Sequence, residues 1–104
     1  MVPLEKVKDI ITQHDILEKE LSSGNVEPKL FAKKSKEYAR LGNIVSTARE
    51  FVNFENEKRD LENMTQDKNN DQEIIDLAQK DFIELIKKKE QSESELKLFL
   101  LPKD

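Results

Sequence analysis

The chain has 104 residues, of which 36% are hydrophobic and 38% are charged, and its formal net charge is −4. The absence of cysteine excludes disulfides and thiolate metal sites, and the acidic balance argues against broad electrostatic binding to nucleic acid or acidic membranes, though not against a local basic contact. Only 2 Gly and 3 Pro are present, so the chain has few turns, which favours an all-α fold of a few long amphipathic helices in one domain.

The first predicted helix runs from about Pro3 to Leu21. Proline suits the first turn of a helix because its missing N–H is not needed there. Gly24 supplies the left-handed residue that ends many helices, and Asn25 can turn the chain. The apolar residues recur at steps of three and four, with His14 on the same stripe: Leu4, Val7, Ile10, Ile11, Leu17 and Leu21.

The second predicted helix begins near Pro28 and continues to about Met64. The pair Gly42-Asn43 can break a helix, but the apolar step of four from Leu41 to Val45 is kept across it. Because a loop usually shifts the phase of the apolar residues, we interpret the segment as one long helix, kinked at most at Gly42.

The third predicted helix follows the polar residues 65–71 and ends at about Phe99. Asn70 stands three residues before Glu73, as in a capping box. Residues 87–95 contain no large apolar side chain and are expected either to be mostly solvated or to form charge pairs with a neighbouring helix. The seam alternates steps of three and four in a heptad-like pattern, with Phe82 expected to be buried in it: Ile75, Ala78, Phe82, Leu85, Lys89, Ser92, Leu96 and Phe99.

The predicted architecture is therefore one shorter helix plus two long helices, arranged as an antiparallel hairpin or an elongated three-helix body. At about 1.5 Å of rise per residue, each long helix would span roughly 40–55 Å. No apolar stretch approaches the ~20 residues needed to cross a bilayer, and the charged N-terminal segment lacks the apolar core of a signal peptide. We expect a cytoplasmic protein without membrane contact.

The residues present predict no catalytic, cofactor-binding or metal site. His14 and Glu18 could offer two ligands on one helix face, but nothing supplies a third and a fourth. Carboxylates such as Asp60 and Glu62 are two residues apart, so they point in different directions and cannot form a secluded acid–base pair. We expect no enzyme activity from this chain.

The chain ends on four consecutive apolar residues, 98–101, followed by Pro102. Four consecutive residues cannot all lie on one helix face, so the run predicts a buried strand or a linker held in a core. Pro102 favours an extended conformation of Leu101. We expect residues 1–97 to be the helical N-terminal domain of a longer protein and residues 98–104 to be the junction to its next domain.

Three stretches carry a resemblance to a known family. SKEYARLGNIV (residues 35–45) is similar to an S-[KR]-E-Y-A-x-L pattern, LFLLPKD (residues 98–104) to an L-L-L-P-x-D junction, and IIDLAQKDF (residues 74–82) to an M-x-x-[ML]-A-x-[ED]-[EL] pattern. Together they resemble the N-terminal domain of the bacterial and mitochondrial class I peptide chain release factors. The junction looks more like that of the UAA/UAG-decoding member.

The resemblance implies a full-length protein that recognises stop codons on the ribosome and promotes hydrolysis of peptidyl-tRNA through a Gly-Gly-Gln loop. Neither that motif nor the codon-reading Pro-x-Thr motif occurs in this sequence. The fragment would be a non-catalytic positioning arm that reaches the stalk base of the large subunit, while rRNA and the mRNA stop codon are met through other domains.

Two basic runs are candidate phosphate contacts, Lys87–Lys89 and the group Lys33, Lys34 and Lys36. A solvated helix surface is the favoured interpretation of both. If the resemblance holds, Lys33, Lys34 and Lys36 are the candidate ribosome contacts. No cofactor is implied.

The alternative is a free-standing helical coiled-coil adaptor, which the heptad spacing of the third helix favours. A reading frame that continues into a segment containing Gly-Gly-Gln would exclude the adaptor, and one that stops after Asp104 would exclude the release factor. The uncovered run at residues 98–101 also predicts self-association of the isolated chain.

Overall fold

The computed structural model of the protein describes residues 2–102. These residues form four α-helices and no strand: α1 (Leu4–Ser23), α2 (Pro28–Gly42), α3 (Val45–Gln66) and α4 (Gln72–Phe99). The prediction of an all-α fold is confirmed. Residues 103 and 104, the end of the predicted junction, lie outside the described part of the chain.

The signals that begin and end the first two helices act as expected. Gly24 follows α1 with a φ of 75°, the left-handed conformation that only glycine adopts without strain. Pro28 occupies the first turn of α2. The stripe of α1 faces inward, because Val7, Ile10 and Leu17 are buried and His14 lies among them.

The prediction of one helix from Pro28 to Met64 is wrong, since α2 ends at Gly42 and α3 begins at Val45. Asn43 has φ −73° and ψ −16°, and Ile44 has φ −124° and ψ −12°. The Ile44 N–H donates to the Leu41 carbonyl at 3.0 Å, as in a turn, and the Ile44 carbonyl accepts from Ala48 at 2.9 Å to start α3. Asn43 is in the right-handed helical region and Ile44 leaves it chiefly in φ, so the break is short and Leu41 and Val45 on its two sides are both buried.

The predicted capping box at α4 is also wrong. Asp71 is the N-cap residue, and no side chain caps the helix. The Asn70 side-chain amide instead donates to the Met64 carbonyl at 2.9 Å, closing the loop back onto the end of α3. The loop residue therefore satisfies a carbonyl at a helix C-terminus rather than an amide at an N-terminus.

The seam of α4 faces α3, which runs antiparallel to it. Leu85, Ser92 and Leu96 are buried, as is Ala78, whereas Phe82 is only half-buried, so the expectation of full burial for Phe82 is wrong. Ser92 is likewise buried within a segment expected to be solvated. The small side chains of Ala78 and Ser92 are thus covered in the seam, while the larger Phe82 ring is only partly covered.

The molecule divides into a head and a stalk. The head consists of α1, α2, the first turns of α3 and the last turns of α4, and it contains the main apolar cluster, which includes Val7, Ile10, Leu41, Ala48 and Leu96. The stalk is the remainder of the α3–α4 pair, approximately residues 53–91. The radius of gyration is 18.4 Å, against about 13 Å for a compact chain of this length, and the extents are 60 × 33 × 18 Å.

The apolar run at the end is helical at first, which corrects the prediction of a strand or linker. Phe99 is the last residue of α4, and the Leu100 N–H donates to the Leu96 carbonyl at 2.9 Å. Phe99 and Leu100 pack against the head cluster. Leu98 and Leu101 are 71% and 60% exposed, because consecutive residues on a helix point in different directions.

Candidate nucleic-acid interface

Helix α2 is the one basic helix among the four that the structure describes. It carries five basic side chains and one acidic one, although the whole chain has a net charge of −4. Each of α1, α3 and α4 contains two more acidic than basic residues. Positive charge is thus concentrated on one element of an otherwise acidic molecule.

The inner face of α2 is fastened to α1. The Tyr38 ring stacks on the His14 ring with centroids 4.9 Å apart, and its hydroxyl donates to Glu18 Oε2 at 3.1 Å. That hydrogen bond raises the pKa of Tyr38, because ionisation would place two negative charges together. On the same face, the Lys34 ammonium is paired with the carboxylate of Glu20. These contacts fix which side of α2 faces solvent.

The outer face of α2 carries a row of cations, Lys29, Lys33, Lys36 and Arg40, which we call the basic row. The steps along the row are four, three and four residues, so the four Cα–Cβ directions fall within about 60° of one another around the helix. The row is about 16 Å long at 1.5 Å per residue. Lys29, Lys33 and Lys36 are exposed and form no ion pair with any residue in the range 2–102.

Arg40 ends the basic row and connects it to the end of α4. Its Nε and one terminal nitrogen donate to the two carboxylate oxygens of Glu37 at 3.0 and 2.6 Å, which raises the pKa of the Arg40 guanidinium. The guanidinium carbon also lies 4.7 Å from the centre of the Phe99 ring. Beside it, a cavity of about 400 Å³ opens between α1, α2 and residues 99–101.

The structure divides the three lysines predicted as ribosome contacts. It places Lys33 and Lys36 together on the outer face, but it turns Lys34 to the inner face against Glu20. Lys29 and Arg40, which were not among the predicted contacts, complete the row. Their spacing of four, three and four residues from the other lysines is visible in the sequence, and a search for periodic rather than consecutive charges would have found them.

A polar contact also joins α1 to α3. Asp15 Oδ1 accepts from His14 Nδ1 at 3.0 Å and from an Arg49 terminal nitrogen at 2.7 Å. These two hydrogen bonds, that from His14 first, lower the pKa of the Asp15 carboxyl below its usual range. An ionised carboxylate is only an acceptor, so the His14 Nδ1 must carry the hydrogen. The Asp15–Arg49 ion pair thus joins α1 to α3. His14 is buried beside it and is not open to a ligand.

The remaining sequence candidates do not form sites. Within residues 2–102, no group of three or more His, Cys, Asp or Glu side chains is placed to hold a metal ion. In the run 87–89, Lys89 is half-buried with its ammonium 5.0 Å from the centre of the Phe54 ring, while Lys87 and Lys88 are exposed. The three lysines of this run therefore do not share one exposed face, whereas the three lysines of the basic row do. None of the described helices is long and apolar enough to span a bilayer.

Comparison with known proteins gives consistent matches. The PCRF domain family matches residues 10–104. Peptide chain release factor 1 of Pelagibacter ubique (strain HTCC1062) is 49% identical over all 104 residues, and the match covers 29% of that relative. Peptide chain release factor 1 of Bartonella tribocorum is 33% identical over 103 residues, and that of Rhizobium rhizogenes is 31% identical over 103 residues, with 28% of each relative covered.

The chain thus spans less than a third of the length of these relatives. No solved structure matches it. The family match extends over more than nine-tenths of the chain, and the identity to the first relative is high over the whole length. The chain belongs to the PCRF domain family.

Proposed function

We propose that this chain is the non-catalytic, ribosome-positioning arm of a peptide chain release factor that acts in translation termination at UAA and UAG codons. The observation that carries the proposal is the 49% identity, over the whole chain, to a protein named peptide chain release factor 1. The elongated head and stalk suit an arm, because a 60 Å body offers widely separated surfaces for attachment and contact.

In this proposal, codon recognition and peptidyl-tRNA hydrolysis belong to parts of a longer protein. The motifs Gly-Gly-Gln and Pro-x-Thr are not in the 104 residues, so the chain itself is not the enzyme. Residues 1–97 are the arm, and residues 98–104 lead into the next domain. The exposure of Leu98 and Leu101 supports this assignment, since a following domain would bury them.

The proposed partner is the ribosome in the cytoplasm, with the stalk base of the large subunit as the contact of the arm. The alternative of a free-standing adaptor draws support from the antiparallel α3–α4 seam. However, an adaptor of that kind gives no account of the sequence identity to release factors along the head as well as the stalk.

A chimera tests the proposal. The chain replaces the matching segment of the Pelagibacter ubique relative, and peptide release is measured on ribosomes stalled at UAA, UAG or a sense codon. We expect codon-dependent release by the chimera, weaker release by a version lacking the segment, and no release by the 104 residues alone. Release by the 104 residues alone, or an inactive chimera that is nevertheless folded, would refute the proposal.

A further inference from the structure

The basic row of α2 has the features of a binding surface rather than of a solvated helix face. On a merely solvated face, lysines are usually interspersed with acidic residues that pair with them at steps of three or four. Here Lys29, Lys33 and Lys36 follow one another at those steps and repel each other. The only acidic residue of α2, Glu37, is bonded to Arg40. A ligand of opposite charge would relieve that repulsion.

Lys34 shows that not every lysine of α2 belongs to the row. Lys34 is adjacent in sequence to Lys33, yet its charge is balanced by Glu20 on α1. Glu20 of α1 thus neutralises Lys34 on the inner face of α2, while within residues 2–102 no acidic side chain forms an ion pair with Lys29, Lys33 or Lys36 on the outer face. Because each of the other described helices carries more acidic than basic residues, the row is a strip of unbalanced positive charge about 16 Å long.

The side chains around the row indicate what kind of polyanion would fit. Ala32 and Ala39 border it and are exposed, so a ligand can approach the helix backbone closely. The exposed apolar residues of α2, Leu30 and Phe31, are about 90° or more away around the helix. Protein interfaces depend on apolar and aromatic anchors at their centre, and base recognition in RNA depends on aromatic stacking. The one ring beside the row, Phe99 next to Arg40, is half-buried against the head, and no aromatic or large apolar side chain stands between the lysines on the outer face, whereas phosphate contacts need only cations.

We propose that the three lysines of the basic row, Lys29, Lys33 and Lys36, bind the phosphate backbone of RNA without reading its sequence, while the charge of Arg40 at the end of the row is balanced by Glu37. The inference rests on the proposed function to the extent that the ribosome supplies the RNA. The geometry assigns the contact to the outer face of α2 and excludes Lys34 from it.

The test measures binding of the chain to an RNA stem-loop at several salt concentrations. If each of the three lysines neutralises one phosphate, the logarithm of the binding constant should fall with the logarithm of the salt concentration at a slope near −2.7. Affinity should then fall about 40-fold between 50 and 200 mM salt. The triple variant Lys29→Gln, Lys33→Gln, Lys36→Gln should lose nearly all of this salt dependence, because each lysine removed should reduce the steepness of the slope by about one unit. Two stems of unrelated sequence should bind within about threefold of each other, because phosphate contacts carry no sequence information.

Two controls make the test specific. The triple variant Lys80→Gln, Lys87→Gln, Lys97→Gln removes the same charge from exposed positions of α4 and should keep the salt slope. The single variant Lys34→Gln should keep it too, whereas Lys33→Gln should lower it by about one unit. Circular dichroism confirms that each variant is helical before it is compared.

Several outcomes would overturn the inference. An equal loss in the α4 triple variant would mean that net charge alone drives binding, and an equal effect of Lys34→Gln would mean that the assigned face is wrong. Row-dependent binding to polyglutamate that exceeds binding to RNA would point to an acidic protein instead. A chimera that releases peptide, but whose RNA binding is unchanged when Lys29, Lys33 and Lys36 are replaced by Gln, refutes this inference alone, while an inactive chimera whose arm still binds RNA through these lysines refutes the proposed function alone.

Discussion

At the scale of single residues, neighbours in sequence have very different surroundings. Lys33 and Lys34 are adjacent, yet one is free on the outer face of α2 and the other is paired with Glu20. His14 lies on the apolar stripe of α1, as expected, but it is buried there because Tyr38 stacks on its ring and Asp15 accepts its N–H. Glu20 and Tyr38 reach their partners because α1 packs against α2, and Asp15 reaches His14 because the two are adjacent in α1. The residue type alone therefore does not determine whether a side chain is paired or free.

The two glycines lead to opposite predictions. Gly24 has a φ of 75°, and Gly24→Ala should destabilise the chain by roughly 1–2 kcal/mol because a side chain is strained there. Gly42 has an ordinary φ and open space around an added Cβ, so Gly42→Ala should stabilise the chain by about 0.5–1 kcal/mol. Urea unfolding measures both. Destabilisation by Gly42→Ala would show that the break between α2 and α3 depends on glycine.

At the scale of elements, α4 contacts the rest of the molecule in two ways. In the stalk it meets only α3, across a narrow seam centred on Ala78, Leu85 and Ser92. In the head its end joins a cluster that also contains residues of α1 and α2. Every position of the heptad-like seam is at least half-buried, including Lys89 and Ser92 in the segment expected to be mostly solvated, but the spacing could not show which positions several helices cover at once.

Leu96→Ala should therefore be the more damaging of two substitutions in α4. Leu96 is completely buried in the head, and its truncation should cost about 2–5 kcal/mol. Phe82 is half-buried at the edge of the stalk, so Phe82→Ala should cost less than the ~3 kcal/mol typical of a buried ring. Thermal or urea unfolding of both variants gives the order. A larger loss for Phe82→Ala would mean that the seam is rotated toward that ring.

At the scale of the whole molecule, the elongated shape leaves much apolar surface uncovered. Leu98 and Leu101 are exposed at the end of α4, and Leu77 and Ile83 are exposed along the stalk. Along the stalk, the α3–α4 pair has no third helix to cover Leu77 and Ile83. Apolar surface of this kind would be buried by a neighbouring domain or a binding partner, in agreement with the proposal that the chain is an arm of a longer protein.

The isolated chain should self-associate through the surface at Leu98 and Leu101. Sedimentation velocity should show an average mass that rises with concentration, because apolar surface is removed from water on pairing. The variant Leu98→Gln, Leu101→Gln should shift the chain toward monomer, while Leu77→Gln, Ile83→Gln serves as the matched control on the stalk. A chain that is monomeric at every concentration, or a larger effect of the control, would contradict this prediction.

The sequence by itself determined the all-α class, most of the inward-facing stripe of α1 and the seam of α4, the left-handed residue after α1 and the family to which the chain belongs, because all of these depend on local spacing and residue type. The tertiary structure alone decided that α2 and α3 are separate helices, since Asn43 and Ile44 keep the apolar phase through the break. It also decided which face of α2 is free. Glu20 on α1 pairs with Lys34, and only packing α1 against α2 brings those charges together and leaves Lys29, Lys33 and Lys36 facing solvent.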